Sequence, residues 1–190
     1  SLSATGLKKI LAYSTVSVLG TLTMLLGLGT PAAVQAAVVY LMAHALYKGA
    51  LFMLAGSMSH ATGIYEADAL SGLRRAMPWS RLAGGLAALS MAGIAPALGF
   101  VGKESLYETM WNAPRWGGVL TAAVVAAHVL LLVVAWRVGV RPFVGAAGKT
   151  KYEPHEVEAG QRLGPLLAGV VGLAAGCLAG PVGRIVAGPA

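Results

Sequence analysis

Long apolar runs separated by short polar stretches dominate the chain. Five candidate spans stand out: residues 10–29, 37–58, 82–110, 117–136 and 163–183. Each reaches the ~20 residues that a helix needs to cross a hydrocarbon core ~30 Å thick. Period-two alternation is absent, which argues against an outer-membrane barrel. The third run is interrupted at 93–99 (GIAPALG), where Pro96 removes a backbone donor and Gly93 and Gly99 loosen the adjoining turns. Only about 14 apolar residues precede Pro96, too few for a comfortable crossing. The run 82–110 therefore reads as one discontinuous crossing. The expected fold is an all-α integral membrane protein, a single membrane domain over 1–190 with about five transmembrane helices.

Composition agrees with the pattern. The chain is 57% hydrophobic and 11% charged, with a mean hydropathy of +0.73. A soluble domain carries about 25% charged residues. The net charge of +7 does not indicate nucleic-acid binding, because the basic residues lie between apolar segments rather than in an aromatic-interleaved patch. In a membrane protein such residues set orientation. Lys8, Lys9, Arg74, Arg75, Arg81, Arg137, Arg141, Lys149, Lys151 and Arg162 fall on one side if all five spans cross, against Arg115 and Arg184 on the other. The N-terminus and both longer loops are thus expected in the cytoplasm of a bacterial-type plasma membrane. The absence of an initiator Met and of a secretory signal suggests a piece of a longer chain.

The lone Cys177 rules out an intrachain disulfide and reads as a packed thiol. There is no phosphate loop, His-Glu-x-x-His, paired-Cys or Gly-x-Ser-x-Gly motif. His155 with Glu153, Glu156 and Glu158 reads as a solvated face rather than a metal site. No metal or cofactor is expected.

Chemistry instead concentrates inside the apolar runs. His44 and Lys48 lie four residues apart in the middle of 37–58, with Tyr40 one turn earlier on the same face. An ionisable group at that depth costs at least ~2.5 kcal/mol for Lys on insertion scales, and marks a functional site by default. After the break at Pro96 come Lys103 and Glu104, then Glu108. Broken helices with adjacent charges are a transporter device for building midplane ion sites. His128 stands in the fourth run and suits either a bond to a neighbouring helix or a proton relay. Ser14, Ser17 and Thr21 share one face of the first span and suggest helix contacts or a water chain. Gly169, Gly172, Gly176 and Gly180 suggest close packing of the fifth.

Three segments in order carry a family resemblance: 7–20 (LKKILAYSTVSVLG), 44–52 (HALYKGALF) and 72–78 (GLRRAMP). They resemble the antiporter-like membrane proteins, which include the large subunits of Mrp-type cation/proton antiporters and the antiporter-like subunits of respiratory complex I. The stretch 44–53, the run 88–96 (ALSMAGIAP), and Pro154-His155-Glu156 followed by 162–165 (RLGP) look most like the A-type large subunits of Mrp Na⁺/H⁺ antiporters. The resemblance implies two inverted five-helix repeats, each with a broken helix, of which this chain would be most of the second plus one following helix. It further implies that His44 and Lys48 match the family's His-x-x-x-Lys helix, Lys103 the broken-helix lysine of the proton path, and Glu104 the acid often following it. Tyr40 stands where complex I relatives often carry a second His. Gly6 replaces a common Asp, and Val18 replaces a frequent Gln.

The function so implied is that of one component of a multisubunit Na⁺ (or K⁺)/H⁺ antiporter, a secondary transporter rather than an enzyme. It would work with other membrane subunits, and its proton path would run through Lys48, His44, Tyr40, Lys103, Glu104 and His128. The alternative is a proton-pumping membrane subunit of an NADH:quinone oxidoreductase or a membrane-bound hydrogenase, with the redox centres on other chains.

Overall fold

A computed structural model of the chain describes residues 4–148 and 150–187, with side chains described through 179. Lys149 and the side chains of Gly180 and Arg184, which entered the orientation and packing expectations, lie outside the described residues. Among the described residues six α-helices follow in order: α1 (Leu7–Leu26), α2 (Pro31–Thr62), α3 (Pro78–Ala92), α4 (Leu98–Trp111), α5 (Gly117–Ala135) and α6 (Ala159–Ala187). Extended pairing among the described residues is limited to one antiparallel bridge, Gly6 to Glu66.

Helices α1, α2 and α6 and the segment Gly117–Phe143 are each long and apolar enough to cross a membrane. The expected discontinuous third span consists of two short helices of 15 and 14 residues, joined at 93–97. Neither reaches a full crossing alone. Gly93 ends α3 at φ +77°, and the Ala95–Pro96 bond that follows is cis. Large apolar side chains such as Val16, Leu19, Val38, Leu41, Met42, Val129 and Leu130 face outward. An apolar exterior around a polar-lined interior is the arrangement that lipid as solvent selects.

Local signals account for the boundaries that hydropathy misplaced. The second span runs from Pro31 to Thr62 rather than 37–58. Thr30 caps it by accepting from the Ala33 amide at 3.2 Å, and Pro31 fits the first helical turn. Gly63, at φ +71°, ends it in the left-handed region. His60 therefore sits in the last turn of α2. At 32 residues α2 is about 48 Å long and forms the centre of the bundle, touching α1, α3, α4 and α6.

The glycine face of α6 packs closely, as its spacing suggested. A methyl at Gly176 would lie 2.0 Å from the Pro96 carbonyl oxygen, and one at Gly169 would lie 2.9 Å from Leu86 Cβ. The expectation of a packed thiol is corrected: Cys177 is exposed. It follows Gly176, and one residue rotates it about 100° away from the contact face. Ser17 is likewise exposed, so of the three hydroxyls on α1 only Ser14 and Thr21 are buried.

Beyond α5 the chain widens into a π turn over Trp136–Val140, where Gly139 lies against the Gly84 carbonyl of α3. Arg137 then reaches Asp68 at 2.7 Å, and Arg141 donates to the Ala67 and Asp68 carbonyls. This cluster ties the end of α5 to the loop between α2 and α3. Glu156 accepts from the amides of Trp79 and Ser80 and so caps α3 from a remote loop. His155 Nδ1 lies 3.1 Å from the carbonyl oxygen of Glu153, and no metal-ligand cluster occurs among the described residues.

A polar axis inside the bundle

Periodicity on α2 sets the site. Tyr40, His44 and Tyr47 follow at intervals of four and three residues, so they project from one face, and Lys48 lies one turn after His44. All four are buried. The Lys48 ammonium donates to the carbonyl of Leu11 at 3.0 Å and to the hydroxyl of Ser14, both on α1. The Ser14 hydroxyl in turn donates to the Leu11 carbonyl at 2.8 Å. Ser14 thus serves the site directly, a role more specific than general helix contact.

Lys103 has a parallel arrangement on α4. Its ammonium donates to the carbonyls of Met91 and Ala92, each at 3.0 Å. Those carbonyls are free to accept because α3 ends at Ala92, leaving its last oxygens without intrahelical partners. Gly93 makes room for the lysine: a methyl there would stand 2.6 Å from Lys103 Cδ. Gly102 lets α4 approach α2, since a methyl at that position would lie 3.0 Å from the Tyr40 Cα. The break supplies both the acceptors and the space for the lysine.

His128 links the two regions from α5. Its Nε2 lies 2.8 Å from the Tyr40 hydroxyl and its Nδ1 lies 2.6 Å from the Tyr107 hydroxyl. On α2 the Tyr47 hydroxyl is 3.1 Å from His44 Nδ1. Lys48 lies one turn from His44 on α2, and Lys103 lies one turn from Tyr107 on α4. Five of the six sequence-selected residues therefore converge on one buried axis.

The sixth does not. Glu104, about 100° around α4 from Lys103, is exposed, and so is Glu108. The ion pairs found among the described residues involve Asp68 with Arg137 and Arg141, and neither buried lysine. Tyr47 and Tyr107 were not singled out from sequence, although a signal existed. Tyr47 is three residues after His44 and Tyr107 four after Lys103, each on its partner's face.

Comparison with known proteins gives this axis a setting. The family model for the membrane part of NADH:quinone oxidoreductase and Mrp antiporter proteins matches residues 1–131. The A1 subunit of the Na(+)/H(+) antiporter of Staphylococcus aureus strain MRSA252 is 43% identical over 131 residues, covering 60% of this chain and 16% of that protein. The same subunit of strain JH9 matches equally. The chain therefore spans 16% of the length of these relatives.

Among solved structures, a chain of the Mrp complex from a Dietzia species matches with a TM-score of 0.78 at 39% identity, over 94% of this chain and 19% of that one. A chain of Thermus thermophilus respiratory complex I matches with a TM-score of 0.75 at 27% identity, over 95% and 40%. A chain of an archaeal membrane-bound sulfane sulfur reductase matches at 0.77 and 27%, over 90% and 28%.

Proposed function

The chain belongs to the NADH:quinone oxidoreductase/Mrp antiporter transmembrane family, and from that premise we propose that it forms part of the proton-conducting core of a multisubunit monovalent cation/proton antiporter. Protons move among Lys48, His44, Tyr40, His128 and Lys103 in exchange for Na⁺ or K⁺. One observation carries the reading. Two lysines are buried in the bundle and bound to backbone or hydroxyl oxygens, with no carboxylate counter-ion among the described residues. A charge kept at such cost without a counter-ion is a group positioned to gain and lose protons.

The segment acts as one membrane domain of a longer subunit in a bacterial plasma membrane, beside the other subunits of its complex. Its N-terminus faces the cytoplasm, as the ten-to-two distribution of basic residues supports. Glu104 belongs to the path at its edge, where a carboxylate at membrane depth faces another protein surface or a hydrated cavity rather than lipid. The complex I likeness supports a second reading, a redox-driven proton pump with its redox centres on other chains. The higher identity to antiporter subunits favours the first.

The test uses everted vesicles without antiporters of their own, carrying the complete native operon. Adding Na⁺ or K⁺ after a proton gradient has formed should release protons, as read by a pH-sensitive dye. Lys103→Ala should abolish the release while the complex still assembles. Retained release in that variant would overturn the role of Lys103. No release from a fully assembled wild-type complex would move the assignment to the redox-driven pump.

A further inference from the structure

We infer that the broken end of α3 is a monovalent-cation seat, where Na⁺ or K⁺ replaces the Lys103 ammonium on the carbonyl oxygens of Met91 and Ala92 and gains the Ser90 hydroxyl as a further ligand. The proposal rests on the antiporter reading above and deepens it by naming where the exchanged cation binds.

The lysine marks the seat. Its ammonium donates to the Met91 and Ala92 carbonyls at 3.0 Å each. An ammonium and an alkali cation carry the same charge, and carbonyl oxygens can take the place of water around either. These two oxygens end a helix, where the macrodipole adds partial negative charge. The C-terminal ends of broken helices are a general means of holding such ions at membrane depth.

Ser90 points to a ligand other than the lysine. The residue is only 5% exposed, and its hydroxyl is the buried side-chain polar atom left without a hydrogen-bond partner among the described residues. Other hydroxyls in the bundle turn back onto their own helix: Ser14 donates to the Leu11 carbonyl, Thr62 to Met58, Thr109 to Ser105 and Thr121 to Gly117. Ser90 Oγ is turned toward α4 instead, where a methyl on Gly99 would lie 3.0 Å from it. Gly99 is one turn before Lys103 on α4, and Ser90 immediately precedes Met91 and Ala92 on α3. The unpaired hydroxyl and the two carbonyls therefore line one seam between the helices. A cation in that seam satisfies the hydroxyl, which the ammonium does not.

The seat holds one positive charge at a time. Its ligands are neutral oxygens, and the ion pairs among the described residues do not include Lys103. Ammonium and cation together would place two like charges side by side in a medium that screens them poorly. A cation enters only as Lys103 gives up its proton, and Lys103 is protonated again only as the cation leaves. One proton leaves for each cation that enters, and the charge of the seat is the same before and after. The flexible lysine stem lets the neutral amine withdraw. Access lies at the break itself, where Ala92 and Gly93 are half-buried and residues 94–96 are exposed. Non-helical backbone at membrane depth lines a hydrated cavity or meets other protein.

Few other groups titrate beside this seam. Tyr107 on α4, Tyr40 on α2 and His128 on α5 lie on this side of α4 and are bonded to one another. Glu104 is turned about 100° away and is exposed. Helix α3 carries only Arg81, near its far end, and the described side chains of α6 add Arg162 near its start and the exposed Cys177.

Equilibrium binding of radioactive Na⁺, and of Rb⁺ in place of K⁺, to the purified complete complex tests the seat. In the wild type, affinity should fall about tenfold per pH unit on acidification once Lys103 is mostly protonated, the slope of one-for-one competition. Lys103→Met keeps a stem and removes the competitor. Its affinity should stay high in acid and lose that pH dependence, although turnover is lost. Ser90→Ala removes a ligand that the lysine does not use. It should weaken binding roughly tenfold in the wild type and in Lys103→Met alike, the size of one lost polar contact to a charged group. The KM for the cation should rise by the same factor with the maximal rate little changed. Removing an unpaired hydroxyl leaves no partner stranded, so this variant should assemble as the wild type does. A wild-type pH dependence retained in Lys103→Met, or an unchanged KM in Ser90→Ala, overturns the seat. The Ser90 kinetics decide alone where Lys103→Met does not assemble. If the wild type releases protons on cation addition while either result is found, the seat fails and the antiporter reading survives. If the assembled wild type releases none, the antiporter reading fails and takes the seat with it.

Discussion

Tyr40 and His128 are 88 positions apart in the chain, yet the phenol oxygen of one lies 2.8 Å from Nε2 of the other. The contact joins α2 to α5 at the centre of the bundle, and Tyr107 completes it from α4 at 2.6 Å. Three helices are therefore held by one imidazole. Each of its nitrogens satisfies a hydroxyl that would otherwise lack this partner in an apolar interior.

Removing that imidazole should cost stability as well as transport. His128→Leu keeps volume but withdraws both partners, at about 1–3 kcal/mol for each buried polar group left unpaired. His128→Gln retains an acceptor and donors and should lose less. Thermal unfolding of the solubilised full complex, followed by loss of intact complex on a sizing column, should rank wild type above Gln and Gln above Leu. Equal midpoints for the Leu variant and the wild type would show that the two bonds contribute no net stability.

Gly93→Ala tests the space made for Lys103. The residue sits at φ +77°, where a side chain costs roughly 1–2 kcal/mol. The new methyl would also stand 2.6 Å from Lys103 Cδ. The lysine must swing away from the Met91 and Ala92 carbonyls, so cation-driven proton release should drop even where the complex assembles. Gly85→Ala on the same helix meets nothing within 4 Å and serves as control. Equal transport by both variants would mean that the lysine does not need this seat.

Gly176→Ala tests how α6 supports the break. Its methyl would fall 2.0 Å from the Pro96 carbonyl oxygen and 2.4 Å from the Leu98 amide nitrogen. These are backbone atoms and cannot rotate aside, so α6 must lift from the junction of α3 and α4. Overpacking of this kind typically costs about 1–3 kcal/mol. Thermal stability and transport should both decline, while Gly160→Ala, which meets nothing within 4 Å, should match the wild type. A fully stable Gly176→Ala variant would mean that α6 is not packed against the break in the assembled protein.

What the sequence revealed follows from the range of the forces involved. Hydropathy and helical period are local, so the apolar runs and the shared face of Tyr40, His44 and Lys48 could be read directly. The break at Pro96 was legible for the same reason, and it divides the run into two short helices. Long-range placement was not legible. Nothing near Ser14 announces that it meets Lys48, 34 positions away. Nothing near Glu104 shows that it turns outward while Lys103, its neighbour, turns in. On a helix adjacent residues diverge by about 100°, and tertiary packing decides which of them is buried. Tyr47 and Tyr107 had the right spacing, but an aromatic in an apolar helix is ordinarily read as packing, and its hydroxyl matters only once a partner is placed.

Glu156 gives a prediction remote from the axis. Its carboxylate accepts from the Trp79 amide at 2.8 Å, the Ser80 amide at 3.3 Å and the Ser80 hydroxyl at 2.6 Å. Met77, at the N-cap of α3, supplies no side-chain cap of its own. The remote carboxylate therefore does what a local Ser or Asp does elsewhere, and its charge complements the positive end of the helix. Glu156→Ala should cost about 0.5–2 kcal/mol, the usual range for losing an N-cap. The loss should be local, with faster amide exchange at Trp79, Ser80 and Arg81 and easier proteolysis of the 150–158 loop. Glu156→Gln keeps an acceptor and should fall between the two. Because α3 ends at the Lys103 seat, a small decrease in transport should accompany the fraying. Unchanged exchange at those amides in the Ala variant would show that the start of α3 is held by other contacts.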